Sequence, residues 1–187
     1  LRLTAHALGA TLLALAALPD AALPAWAWPL TLLAGVALLN GFNFMDGVNG
    51  ITALYGLITV GTLFYWAETN GPSRMIGIAA PLLPYIAVAL AVFGWFNIRP
   101  KAVCFAGDVG SVTLAGVVFF ALLVVCGQRQ SLLPLFSVAL YATDAGLTLL
   151  GRILRRESLI EAHRQHLFQQ LVYRRGWSHL GVSATYA

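Results

Sequence analysis

Six long apolar runs, separated by short polar stretches, constrain this chain more than any other feature: Leu3–Leu18, Leu23–Leu39, Ile51–Ala67, Met75–Phe96, Val112–Gly127 and Leu132–Leu150. A helix needs about 20 mainly apolar residues to cross hydrocarbon. Continuous runs of this kind predict helices, because a spanning helix satisfies its own backbone hydrogen bonds in lipid. The expected fold class is therefore all-α: a polytopic membrane bundle of about six spans. Composition agrees, with 59% hydrophobic and only 10% charged residues, where soluble domains carry roughly a quarter charged residues. The first run is short for a span and is expected to begin upstream of Leu1. Pro81 and Pro84 are expected to kink the fourth, a distortion that neighbouring helices can absorb. No linker, repeat or low-complexity tract divides residues 1–187, which read as a single transmembrane domain, partial at both ends.

Alternating six spans sorts the connections onto two sides. Loops 41–50, 97–110 and 151–180 share one side; Ala17–Pro24, Glu68–Arg74 and Gln128–Ser131 share the other. The first side carries Arg2, Arg99, Lys101, Arg152, Arg155, Arg156, Arg164, Arg174 and Arg175, and the second only Arg74 and Arg129. This bias predicts that the first side faces the cytoplasm. It also explains the net charge of +4 without a basic groove, and no nucleic-acid module is visible. Cys104 and Cys126 fall near opposite membrane faces, so a disulfide between them is not expected.

The polar motifs fall on the basic side. The stretch NGFNFMDGVNGI places Asn40, Asn43, Asp46 and Asn49 at a spacing of three, with Gly41, Gly47 and Gly50 between them. If the helix continued through it, each step would advance about 300°, giving a slowly drifting polar stripe. Asparagine offers both donor and acceptor, which suits a nucleobase edge or an amide. A capped helix end with Asp46 in a turn is the plainer alternative. In the second loop, Gly107, Asp108, Gly110 and Ser111 precede a long helix. Asp108 there complements the helix dipole. Equally, it is a candidate Mg²⁺ carboxylate beside glycines that admit a diphosphate to backbone amides. Arg99 and Lys101 suit phosphates or anionic lipid headgroups.

The third loop contains Glu161-Ala162-His163-Arg164-Gln165-His166. On a helix, His163 and His166 would lie one turn apart and converge. With Arg164 they make a candidate diphosphate clamp; a surface amphipathic helix is the alternative. Asp144, inside the sixth run, is an acid at membrane depth, where acids are usually functional.

Taken together, the three loops resemble the polyprenyl-phosphate N-acetylhexosamine-1-phosphate transferase family, in glycosyltransferase family 4. The residues that carry the resemblance are Asn40-x-x-Asn43-x-x-Asp46-Gly47-x-x-Gly50, Phe96-Asn97 with Ala106-Gly107-Asp108-Val109-Gly110-Ser111, and Ala162-His163-Arg164-Gln165-His166-Leu167. Their order, spacing and shared side cover nearly the whole chain. The resemblance implies transfer of a sugar-1-phosphate from a UDP-N-acetyl sugar to undecaprenyl phosphate, with release of UMP. It implies Mg²⁺, or Mn²⁺ in its place, with Asp108 as ligand and Asp46 in the same acid cluster as a second candidate. Asp46, Asp108, His163 and His166 are then the expected catalytic set. Asn40, Asn43, Asn49, Arg164, Gly107 and Gly110 are the expected substrate contacts. The implied partners are the two substrates, the lipid bilayer and a second copy of the chain as a homodimer; the implied place is the bacterial inner membrane.

Two departures matter. Family members carry an adjacent pair of aspartates just before a span resembling Leu1–Leu18, and a final span after Ser183. Neither is present here, so this fragment alone is expected to be inactive. The His-Arg-Gln-His sequence, in place of three consecutive histidines, looks more like the enzymes that initiate O-antigen or exopolysaccharide than the peptidoglycan-precursor enzymes. A transporter would place its polar residues near the bilayer midplane, and a non-catalytic scaffold has no need of Asp46, Asp108 and His163.

Overall fold

The computed structural model describes residues 2–21, 24–69, 76–157 and 165–187. These residues form helices and connecting loops, with no strand among them. Helix α1 spans Arg2–Ala21, and a 3-10 turn at Ala25–Ala27 leads into α2, Trp28–Met45. There Pro29 sits in the first turn, where its missing N–H removes no helical bond. Helices α3 (Ile51–Glu68), α4 (Ile76–Asn97) and α5 (Gly107–Arg129) follow. A second 3-10 turn, Leu133–Val138, precedes α6 (Ala139–Leu154), and two short helices, α7 (Leu167–Tyr173) and α8 (His179–Tyr186), complete the chain.

Four stretches among the described residues are long and apolar enough to cross a membrane: Ala25–Met45, Ala80–Asn97, Gly107–Arg129 and Leu133–Leu154. The chain is a multi-pass membrane protein, with fewer such stretches than the six apolar runs suggested. Leu3–Ala17 is a shorter apolar helix. The remaining run, α3, turns one face inward. It buries Ile51, Thr52, Ala53, Tyr55, Gly56, Thr59, Val60, Leu63 and Ala67, and Thr52, Thr59 and Tyr55 serve the interior rather than lipid. Helix α4 runs through Pro81 and Pro84 without interruption.

The sixth run also differs from expectation. Its first part is a 3-10 turn with Pro134 in the first turn. There the Ser137 carbonyl, which would accept the Tyr141 N–H in a continuous helix, accepts the Thr59 hydroxyl at 3.0 Å instead. Helix α6 then continues past Leu150 to Leu154.

Helix α5 packs against α1, α2, α3 and α4 and is the spine of the bundle. Close approach is secured at Gly35 of α2, where an added Cβ would lie 2.7 Å from Phe119 and 2.9 Å from Ala10 Cβ. Leu8 and Leu12 of α1, Leu30 and Leu33 of α2, and Val88 and Val92 of α4 remain exposed. Such side chains cost little in lipid, whose tails are as apolar as leucine.

Candidate active site

Three connections meet at one end of the bundle, and asparagines knit them together. Gly50 begins α3 with φ +87, a left-handed conformation that favours glycine. Its N–H donates to Asn97 Oδ1 at 2.8 Å. Asn97, fully buried at the end of α4, donates from Nδ2 to the Cys104 carbonyl at 2.7 Å. Asn49 Nδ2 donates to the carbonyls of Arg99 and Pro100 at 2.9 and 3.0 Å. The Asn49 N–H meets His179 Nδ1 at 3.3 Å, and its carbonyl accepts the Ser183 hydroxyl at 2.7 Å. Asn49 therefore braces the 46–50 turn against the 97–106 loop and α8, with both amide protons used inside the fold.

The continuous polar helix considered for Asn40–Asn49 does not form. Helix α2 stops at Met45, and Asp46 leaves it with ψ 62. Asn40 and Asn43 ride the last turns of α2. Asn40 Nδ2 donates to the Val36 carbonyl of its own helix at 2.8 Å. Asn43 Oδ1 lies 3.1 Å from Ser111 Oγ, which also reaches the Gly107 carbonyl at 2.7 Å.

Asp46 is the hub. Its Oδ1 accepts the Thr52 hydroxyl at 2.8 Å and its Oδ2 the Gly107 N–H at 2.7 Å. One carboxylate thus joins the end of α2, the first turn of α3 and the first amide of α5. Burial pushes this carboxyl above its ordinary value of 3.8, and hydrogen bonds from Thr52, Gly107 and Ala106 pull the other way. Gly107 has φ +63, and a Cβ there would meet nothing within 4 Å; one on Gly110 would meet only Ala106 Cβ, at 3.1 Å. Space is therefore open over the first turn of α5, where backbone N–H groups and the dipole favour an anion. Asp108 stands exposed in that turn.

His163 and Arg164 lie outside the described residues. His166 precedes α7 in an extended conformation, φ −60 and ψ 146, so the helical face expected to pair it with His163 does not reach it. Its ring is 3% exposed, stacks on Phe168 with centroids 5.7 Å apart, and places Nδ1 3.4 Å from Asp144 Oδ1. Asp144 is itself buried. Its carboxylate accepts the Leu167 and Phe168 N–H groups at 2.8 and 3.2 Å and the Tyr186 hydroxyl at 2.5 Å. The acid at membrane depth therefore caps α7 and ties α8 to α6.

A groove of about 870 Å³ runs between α2, α5 and α6. It extends from Trp26 and Leu132 at one end to Phe44, Arg152 and His166 at the other, and its walls are mainly apolar. Arg152 is 4% exposed and pairs with Glu157 at 3.6 Å. No motif marks this arginine, one of several in the basic stretch 151–156, or Thr52, a polar side chain in an apolar run, as a site residue.

A family profile for glycosyl transferase family 4 matches residues 3–127. The chain belongs to that family. Within it, this member is 28% identical over 139 residues to a phospho-N-acetylmuramoyl-pentapeptide-transferase of Flavobacterium psychrophilum, covering 66% of this chain and 33% of the relative. It is 26% identical over 152 residues to a probable undecaprenyl-phosphate N-acetylglucosaminyl 1-phosphate transferase of Bacillus subtilis, covering 78% of this chain and 40% of the relative. It is 30% identical over 159 residues to an undecaprenyl-phosphate alpha-N-acetylglucosaminyl 1-phosphate transferase of Salmonella typhi, covering 80% and 41%. The family-4 chain described here thus spans well under half the length of these curated relatives.

Proposed function

We propose that the whole protein transfers a sugar-1-phosphate, of N-acetylhexosamine type, from a UDP-sugar to undecaprenyl phosphate in the bacterial inner membrane. The three motif loops then face the cytoplasm. The observation that carries this reading is the union of Asp46 with the first amide of α5, beside exposed Asp108 and open space over Gly107. A diphosphate approaching there meets helix-terminal N–H groups. An apolar groove ending at Arg152 and His166 suits a long isoprenoid chain with an anionic head.

In the reaction, an oxygen of the lipid phosphate attacks the sugar-bearing phosphorus of the UDP-sugar. The bond from that phosphorus to the bridging oxygen breaks, and UMP departs with that oxygen. Asp108, with Asp46 as the neighbouring carboxylate, is the donor set that suits Mg²⁺ or Mn²⁺, since such ions take one or two carboxylates and substrate phosphate oxygens. Among the described residues no group of three or more metal-ligating side chains assembles. When bound, the ion would neutralise charge on the diphosphate and the leaving group. The chain's own work is positioning. Asn43 and the amides near Gly107 and Gly110 orient the nucleotide diphosphate; His163 and Arg164 are the phosphate contacts of the third motif, and His166 stands at the groove end that would take the lipid phosphate. Asn40 lines the groove, and Asn49 holds the loop that carries Asp46.

The test is UMP release by membranes containing the whole protein, given undecaprenyl phosphate, Mg²⁺ and a panel of UDP-N-acetyl sugars. Release with one sugar, lost on adding a chelator, is the expected result. No release with any sugar, from folded protein, would overturn the reading in favour of a non-catalytic scaffold.

A further inference from the structure

Tyr141, in the first turn of α6, belongs to none of the three motif loops. Its side chain is 1% exposed. Its ring stacks on Tyr55 with centroids 3.7 Å apart and planes at 3°, and meets Phe42 edge-on at 5.0 Å. Its backbone N–H, one of the orphan donors at a helix start, reaches the Tyr55 hydroxyl at 3.4 Å. Ring and backbone are thus fixed from three sides. The hydroxyl is not: Tyr141 Oη is buried with no partner at full hydrogen-bond geometry, and Thr52 is the polar side chain beside it. Native proteins rarely leave such an atom alone, and phenylalanine would pack here as well without one.

What the hydroxyl faces gives the reason. Thr52 lies next to it, and the Asp46 carboxylate is within electrostatic reach. Thr52 spends its single proton on Asp46 Oδ1 but keeps lone pairs that can accept another donor. Tyr141 also forms part of the groove wall, together with Phe42 and Gly41. One side chain therefore stands between the apolar groove and the acid at the α5 terminus.

We propose that Tyr141 is a positioning residue for the transferase reaction: its hydroxyl donates to Thr52, which holds Thr52 Oγ1–H on Asp46 Oδ1 while Oδ2 stays on the Gly107 amide. This rests on the transferase reading above. The chain of donors runs one way, from Tyr141 through Thr52 to Asp46, and a tyrosine without its hydroxyl leaves Thr52 free to turn away. Tyr141 touches neither substrate in this scheme; it fixes the direction in which the carboxylate points.

The experiment uses the whole protein in membranes, with undecaprenyl phosphate, Mg²⁺ and the UDP-sugar that the parent accepts. Losing one buried hydrogen bond of this kind should lower kcat about tenfold in Tyr141→Phe, with the UDP-sugar KM within about twofold. In a Thr52→Val background the same change should cost nothing further, because the chain is already cut. In a Thr52→Ser background, which keeps the hydroxyl, Tyr141→Phe should again cost about tenfold. A ring that served packing alone would not depend on the Thr52 hydroxyl in this way. A Tyr141→Phe protein with parental kcat, or losses that multiply in the valine background, would overturn the inference while the transferase stands. A folded parent that releases no UMP would bring down the transferase reading and this inference with it.

Discussion

Asp46 Oδ2 accepts the Gly107 N–H at 2.7 Å across 61 residues of sequence. A single carboxylate therefore links the end of α2 to the start of α5, the central helix. Asp46→Asn would keep one carbonyl oxygen for Thr52 or Gly107 but turn an NH2 group toward the other donor. The expected result is a loss of UMP release of at least about a hundredfold, the scale on which a positioned electrostatic group contributes. The protein should still reach the membrane. Transferase assays normalised to folded protein would check this.

The same residue predicts a pH effect on stability. Burial raises the Asp46 carboxyl above 3.8, so the folded state holds its proton more tightly than the unfolded chain. That contribution is complete below 3.8 and is lost as pH rises through the folded value. In chelator, the melting temperature of the parent should fall relative to Asp46→Asn as pH rises from about 4 to 7. Parallel melting curves for the two proteins would contradict the burial argument.

Asp108 differs because it is exposed in the first turn of α5. Removing its charge should cost only about 0.3–1 kcal/mol of stability, the ordinary value of an acid at a helix N-terminus. Asp108→Asn in the whole protein should nevertheless abolish Mg²⁺-dependent turnover. Near-parental activity in that variant would remove Asp108 from the metal site.

Asp144 should behave in the opposite way. It accepts from Leu167 N, Phe168 N and Tyr186 Oη and faces His166, so Asp144→Ala strands several buried donors at once. A loss of at least about 3 kcal/mol is expected, as when one partner of a buried charged network is deleted. Thermal unfolding in detergent measures it. Earlier cleavage after Arg174 or Arg175, in the exposed link between α7 and α8, would locate the damage.

How far the sequence reached is clearest from these residues. The apolar runs foretold helices because length and hydropathy are local properties. The glycine at 107 and the acids at 46 and 108 stood out because their motifs are contiguous. What escaped was pairing across distance. Asn49 looks like Asn43 in the spacing, yet its amide protons serve Arg99 and Pro100, and no periodicity can show that. His166 resembled half of a helical pair until Asp144 and the α7 start fixed it as extended backbone. Thr59 and Ser137 are ordinary in an apolar run, and only their contact explains why α6 begins late.

Two glycines separate packing from chemistry. Gly35→Ala would drive a methyl to within 2.7 Å of the Phe119 ring and 2.9 Å of Ala10 Cβ. Overpacking of this kind costs about 1–3 kcal/mol, and activity per folded molecule should be unchanged because Gly35 lies in the middle of the bundle. Gly107→Ala meets no atom within 4 Å, yet its φ of +63 strains any residue with a Cβ, at a cost of about 1–2 kcal/mol. Its methyl would also occupy the open space beside Asp46, where the diphosphate is expected. Gly107→Ala should therefore lose more than about tenfold in turnover for a similar loss of stability, a change in kcat/KM that packing cannot explain. Melting temperature and UMP release measured on both variants decide the point: equal activity losses at equal stability would mean that the space over Gly107 holds no substrate.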